Sequence, residues 1–212
     1  MPHSQDAFQS LEAQGHFSSA RFRGHKSDVW EGGHRVPFIV RWPGTVAAGS
    51  KSGQMVCQVD LMATFADIIG ATLPAKAAED SFSLLPLLKG SDKPVRETLV
   101  NHSINGRFAI REGSWKLALC PGSGGWSKAP EPPPGRKLPA NQLYDLAKDA
   151  GERENLVAQH PEIVERLTKK LEMIVSDGRS TPGPKTANDV EVAILKKATE
   201  KSNSPAATKS EP

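Results

Sequence analysis

Arg21, Arg23, His25, Lys26, His34 and Arg35 crowd into residues 21–35, against only Asp28 and Glu31 on the acidic side. Gly24, Gly32 and Gly33 stand among them, so backbone and a small ligand can approach closely. Such a segment is suited to holding an anion. A fixed ammonium aimed at an oxygen stabilises charge as it develops there, and Lys26 is the first candidate for that role. His25 and His34 could also contact an anion, although packing and donation to backbone compete as their roles. Arg35 reads as structural, paired with Glu31. Gly32 and Gly33 read as turn-formers. Two further residues could meet a substrate. His102 ends a strand-like run just before Ser103-Ile104-Asn105-Gly106. Trp126 sits in a glycine-rich loop, where its ring could stack on a sugar or aryl ring or simply pack.

Other chemistries lack their residues. Gly122-Ser123-Gly124-Gly125 has neither the lysine nor the helix of a phosphate-cradling loop. There is no His-Glu-x-x-His, no nucleophile elbow and no pair of cysteines at metal spacing. Cys57 and Cys120 read as free thiols, with one disulfide as the alternative in an oxidising compartment. Formal net charge is +3 and much of the lysine lies in the tail. The folded part is thus near neutral, which argues against a nucleic-acid partner. No apolar run reaches the ~20 residues of a membrane span. The first residues lack a charged region followed by an apolar core, so the expectation is no signal peptide and a cytoplasmic protein as written.

These residues need elements to position them. Residues 1–20 read as a loop with a short helix near Ala7–Ala13. Val36–Trp42 reads as a buried strand closed by Trp42-Pro43-Gly44. Asp60 looks like the N-cap of a helix over Leu61–Ile69, stopped by Gly70. Residues 98–102, 107–111, 115–119 and 142–146 read as four strands, the middle two a hairpin across Glu112-Gly113-Ser114. Pro161 opens a helix with Ile163, Val164, Leu167, Leu171, Ile174 and Val175 on one stripe, ended by Gly178. From about Pro182 the chain is rich in Lys, Ser, Ala, Pro and Thr and reads as a disordered or weakly helical tail. The expected architecture is an α/β part, then a small antiparallel sheet covered on one face by a helix.

Several ordered segments resemble the sulfatase family of arylsulfatase-like enzymes. Gly24-His25-Lys26 through Arg41-Trp42-Pro43-Gly44 resembles its lysine segment and following strand. Val59-Asp60-Leu61-Met62-Ala63-Thr64 is similar to its next helix start. Leu84-Leu85-Pro86-Leu87-Leu88-Lys89-Gly90 is similar to its linker into a C-terminal subdomain. Phe108-Ala109-Ile110-Arg111 with Trp115-Lys116-Leu117 resembles that subdomain's hairpin. Gln142-Leu143-Tyr144-Asp145-Leu146 with Glu154-Asn155-Leu156 resembles its last strand and helix entry.

The resemblance implies an alkaline-phosphatase-like α/β domain over 1–91, a four-stranded antiparallel subdomain with a covering helix over 92–180, and a flexible tail over 181–212. It implies hydrolysis of aryl or carbohydrate sulfate esters, with Lys26 on the sulfate and His102, His25 and Trp126 on the substrate. In the family a formylglycine, made from a cysteine in a Cys-x-Pro/Ser-x-Arg motif, is the nucleophile. A calcium ion is held by acidic and amide side chains, the last pair in a Ser-Asp-Asn-Gly-like loop. Intact members are often periplasmic or secreted. Here Cys57 is followed by Gln58-Val59-Asp60-Leu61 and Cys120 by Pro121-Gly122-Ser123-Gly124, and no Asp-Asn-Gly loop precedes residue 20. The expectation is a fragment without nucleophile or calcium site, inactive alone. The alternative is a non-catalytic sulfated-glycan-binding or relic truncated protein. Residues 1–90 should then expose an apolar face belonging to a larger sheet.

Overall fold

The computed structural model describes residues 10–196 apart from 129, 130, 133 and 136. Its organising element is a four-stranded antiparallel meander, in the order β1 (Thr98–His102), β2 (Phe108–Glu112), β3 (Trp115–Ala118) and β4 (Gln142–Asp145). The register pairs Val100 with Ile110, Ile110 with Leu117 and Leu117 with Leu143. Strand alternation then sorts the side chains. Ile110, Leu117 and Leu143 lie on one face and pack against Leu167 and Leu171, all of them fully buried. Those leucines belong to the helix Pro161–Asp177, whose apolar stripe lies across β2 and β3. Gly178 closes this helix at φ 64°, where a left-handed residue is needed.

Ala109, Ala118 and Tyr144 point to the opposite face. That face is covered by Val29 and Trp30, from the cation-rich segment itself. Trp30 Nε1 donates to Gln142 Oε1 at 3.0 Å, and Tyr144 Oη donates to the same oxygen at 2.7 Å. The sheet is therefore buried on both sides, by a helix on one and by the anion-binding candidate on the other.

We label Leu61–Ile69 α1, Leu85–Leu88 α2 and Pro161–Asp177 α3. α1 has the expected bounds and ends on Gly70 at φ 70°. Asp60 does not cap it. Its side chain makes no capping bond to the helix; residues 58–60 form a preceding 3-10 turn. The Asp60 carboxylate is wholly buried, pairs with Arg96, and accepts the backbone N–H groups of Cys57 (2.8 Å) and Phe82 (3.0 Å). A buried charge persists when it is paired and hydrogen-bonded, so Asp60 anchors this part of the chain onto the approach to β1.

The strand expected over Val36–Trp42 does not form. Residues 34–42 carry no regular element, and Ile39 is 88% exposed. A strand needs a neighbour for its backbone groups, and no described strand pairs with this segment. Val36 and Phe38 are exposed with it, as are Met62, Phe65 and Ile69 of α1. Residues 10–13 are helical. Residues 181–196 have no helix or strand and run back along α3, where Asn188 Nδ2 donates to Val175 O at 2.7 Å and Ile194 joins the α3-side core. The last part of the tail lies outside the described residues. Both cysteines are free, Cys57 half-buried and Cys120 buried.

Candidate functional site

Lys26 stands at the tip of a tight turn. The turn is closed by Asp28 N–H donating to His25 O at 3.0 Å, and it puts Ser27 at φ 92°. That is the left-handed region, costly for a residue with a Cβ, and it persists only where surroundings over-determine it. They do so here. Ser27 O accepts Ile104 N–H at 2.9 Å, and Ser27 Oγ accepts Trp126 N–H at 3.1 Å. Gly125 lies flat on the Ser27 carbonyl, and a Cβ at Gly125 would collide with it. The wholly buried Asp28 carboxylate takes His25 N–H at 2.9 Å, Ser127 N–H at 3.1 Å and Ser127 Oγ–H at 2.5 Å. Ser103 Oγ donates to Gly124 O at 2.6 Å. Three loops, 25–28, 103–106 and 122–127, are thus tied into one knot around a strained serine.

This knot gathers three of the sequence-predicted residues and separates the fourth. Lys26 is exposed and makes no side-chain bond to any described residue. His102, also exposed, ends β1 just before Ser103; its Nδ1 lies 2.8 Å from Ser103 O, and its ring meets Phe108 edge-on at 6.1 Å. Trp126 is 47% exposed beside Ser27. His25 instead turns toward Glu12, with Nε2 3.8 Å from Oε1, and lines a neighbouring cleft.

Behind the knot lie His34, read from the sequence as a possible anion contact, and a charged core around Lys116 that the sequence reading did not raise. His34 Nε2 lies 2.5 Å from Asn101 Nδ2, one residue before His102. Burial holds the His34 imidazole down at about 4, and the Lys116 ammonium adds to this. The ring is therefore neutral at neutral pH, and its Nε2 accepts from the Asn101 amide. Beneath it lies a charged core. Lys116 Nζ, wholly buried, sits 3.0 Å from Glu31 Oε1 and 2.9 Å from Glu152 Oε1. Arg35 Nε lies 2.6 Å from Glu31 Oε2, as the sequence suggested. Burial pushes the Glu31 carboxyl up, but Lys116 and Arg35 outweigh it and leave the group at about 2. In Glu152 burial wins over Lys116, and its carboxyl is raised. Glu152 also takes Glu31 N–H at 2.5 Å. Gly32 completes the turn after Glu31; a Cβ there would collide with Gly24 O. A local signal existed for Lys116, since Trp115-Lys116-Leu117 puts a lysine on a strand whose neighbours are apolar. Its partners lie far away in sequence.

These shifts set the acid sensitivity of the fold. His34 is lowered from 6.5 to about 4 and Glu31 from 4.5 to about 2. Both folded values lie below the free ones, so the unfolded chain takes up protons first as pH falls. The stability that these two groups contribute is full above about pH 6.5, while Glu152, whose carboxyl is raised, acts in the opposite sense and partly offsets the loss. Their contribution drops between 6.5 and 4 through His34, and again between 4.5 and 2 through Glu31. Urea midpoints at pH 7, 5 and 3 should fall in that order, and His34→Gln should flatten the first step. Equal midpoints at pH 7 and 5 for the parent chain would contradict the assignment.

The described residues do not fit a calcium ion. No group of three or more His, Cys, Asp or Glu side chains among them could hold a metal. The buried acids are already engaged, Asp28 by loop donors, Asp60 by Arg96 and backbone, Glu31 and Glu152 by Lys116, and Asp145 by the Ala147 N–H and Lys148. Among the described residues no helix is long and apolar enough to cross a membrane.

Comparison with known proteins accounts for this arrangement. The profile of the family described as "N-sulphoglucosamine sulphohydrolase, C-terminal" matches residues 24–119, from the lysine turn through β3. The N-acetylgalactosamine-6-O-sulfatase of Bacteroides thetaiotaomicron is 36% identical over 174 residues, covering 79% of this chain and 32% of that protein. Human arylsulfatase A is 33% identical over 183 residues, covering 78% and 36%. A solved structure from work on glycosaminoglycan metabolism by Bacteroides thetaiotaomicron superposes with a TM-score of 0.65 at 36% identity, covering 78% of this chain and 34% of that one. The chain spans about a third of the length of these relatives. With the lysine turn clamped onto the same meander that the profile covers, the chain belongs to the sulfatase family, as a C-terminal portion of its alkaline-phosphatase-like fold.

Proposed function

We propose that this chain forms the substrate-facing C-terminal part of a sulfuric ester hydrolase acting on a sulfated carbohydrate. The strained Ser27 carries the reading: three loops hold the backbone beside Lys26 in a costly conformation, which leaves its ammonium exposed at the tip. Lys26 meets the sulfate, where a fixed cation stabilises charge on the sulfuryl oxygens. His102 and Trp126 flank it on the saccharide side, and His25 lines the approach. The sulfated amino sugar named for the Bacteroides relative supports a carbohydrate ester over a simple aryl one. His34 holds the Asn101 amide beside His102. Residues 1–91 present the lysine, the subdomain, 92–180, braces it, and 181–212 form the tail. Nucleophile and calcium come from sulfatase sequence beyond these residues, because neither cysteine stands in the nucleophile motif and no metal cluster is described.

The chain by itself is then a binder and not a catalyst. Purified protein should give no turnover of a chromogenic aryl sulfate above a blank, with or without added calcium, because covalent sulfatase chemistry needs an activated nucleophile. It should still bind a sulfated monosaccharide weakly, and Lys26→Ala should abolish that binding. Turnover above the blank that disappears in Lys26→Ala would overturn the non-catalytic half of this reading. Unchanged binding in Lys26→Ala would overturn the sulfate assignment.

A further inference from the structure

A cleft of about 300 Å3 lies where the edge strand β1 meets the C-terminal end of α3. It is on the α3 side of the meander, whereas the lysine turn packs on the opposite face. Its lining is mainly apolar. β1 and β2 give it Val100 and Phe108, α3 gives Leu171 and Ile174, and the segment after α3 gives Val192. Small-molecule sites have this size and character, an apolar wall with a few placed polar groups.

Two of the polar residues lining it carry buried groups with no partner. The Arg96 side chain is 4% exposed. Its Nη2 donates to Asp60 and, at 3.0 Å, to Asp80 O; its Nη1 donates to Thr98 O at 3.3 Å. Its Nε–H meets no acceptor among the described residues. Ser180 stands just beyond α3. Its N–H donates to Asp80 Oδ1 at 2.9 Å, but its Oγ is buried without a partner. A buried polar group left unsatisfied is costly, and most such groups find a partner. That two orphans line one apolar cleft points to a ligand that brings the missing acceptor. Charge decides what kind of acceptor it is. The ionised groups around the cleft balance in number, Arg96 and Arg179 against Asp60 and Asp80. A further buried charge would have no counter-ion, so the head group is neutral.

We propose that this cleft binds a small amphiphile, an apolar chain of several carbons that ends in a neutral carbonyl or amide head. The head oxygen accepts from the Arg96 Nε–H, the Ser180 hydroxyl completes its hydrogen bonding, and the chain lies among Val100, Phe108, Leu171, Ile174 and Val192. The ligand bridges β1, α3 and the segment that runs back along α3, which Asn188 ties to Val175 O at 2.7 Å. The site is independent of the sulfate reading, since no residue of the lysine turn lines it.

The test titrates the whole chain with octanamide, octanoate and octylamine by calorimetry at neutral pH. Octanamide should bind. Octanoate should bind roughly tenfold more weakly, because its charge is buried without a counter-ion. Octylamine, as the ammonium ion, offers the Arg96 Nε–H no acceptor and should not bind. Ser180→Ala should weaken octanamide roughly fivefold. Val192→Asp sets a carboxylate in the apolar wall, on a segment without regular structure, and should abolish binding. Met173→Ala, at an exposed position of α3, and Lys26→Ala should both keep the parental affinity. Arg96 is left intact, because its loss would strand the buried Asp60. Cys57, half-buried, lines the cleft, so octanamide should slow its alkylation by N-ethylmaleimide in the parent and not in Val192→Asp. Thermal melts of the variants should match the parent's, since none alters a fully buried side chain. No binding of octanamide at a concentration on the order of 1 mM would overturn the site. So would equal affinity for the three probes, tighter binding of octanoate, or an unchanged affinity in Ser180→Ala or Val192→Asp.

Discussion

Lys26→Ala lowers turnover by about two to three orders of magnitude when this chain replaces the matching third of the Bacteroides N-acetylgalactosamine-6-O-sulfatase. The chimera supplies the nucleophile and metal that the described residues lack. The size of the loss follows from the setting of the lysine. Its side chain makes no bond to any described residue, while its backbone is clamped by Ser27 and Asp28 to loops 103–106 and 122–127. The backbone that carries the ammonium is thus fixed while the charge is left unneutralised and open to a ligand, and binding of the sulfate completes its placement. An electrostatic role predicts partial recovery in Lys26→Arg, limited by the different geometry of a guanidinium. Lys51→Ala is the control, because Lys51 lies in an exposed loop. If Lys26→Ala and Lys51→Ala both ran near the parental rate at saturating substrate, Lys26 would be structural, and the sulfate would be held by groups outside this chain.

What was legible in the sequence follows a physical divide. α1 and α3 were readable to the residue because helix signals are local: an apolar stripe, a proline at the start of α3 and a glycine at each end. The four strands were readable through turn signals and alternation. Pairing that depends on distant residues was not. Asp60 carries a cap's residue type, yet its carboxylate is taken by Arg96, thirty-odd positions on, and no local pattern reports that. Val36–Trp42 has the composition of a buried strand, but composition does not supply the neighbouring strand, and none is described. The site divides the same way. The lysine segment was visible as a cluster of charge and glycine. Only the fold shows that Ser27 binds Trp126 and Ile104, which gathers Lys26, His102 and Trp126 and sends His25 to a different cleft.

The largest stability effect is expected from Lys116→Met, at about 3–5 kcal/mol. Lys116 is wholly buried between Glu31 and Glu152, so its removal leaves two acids facing each other without the cation that joins them. Glu31 keeps Arg35, but Glu152 keeps only the Glu31 N–H and is the group whose carboxyl burial already raises. Methionine fits the stem and not the charge, so the loss is mainly electrostatic. A domain of ordinary stability holds about 5–15 kcal/mol in all, so urea unfolding should find the variant marginal or unfolded at neutral pH. Two further results identify the cause. Adding Glu152→Gln to Lys116→Met should recover part of the loss, giving a coupling term of roughly 0.5–3 kcal/mol between contacting groups. Mild acidification should narrow the gap to the parent, because the uncompensated Glu152 takes up a proton more readily in the variant. A loss below about 1 kcal/mol would mean that the cluster is solvated, as exposed ion pairs are. The lysine turn would then have to be held by Asp28, Trp30 and the sheet alone.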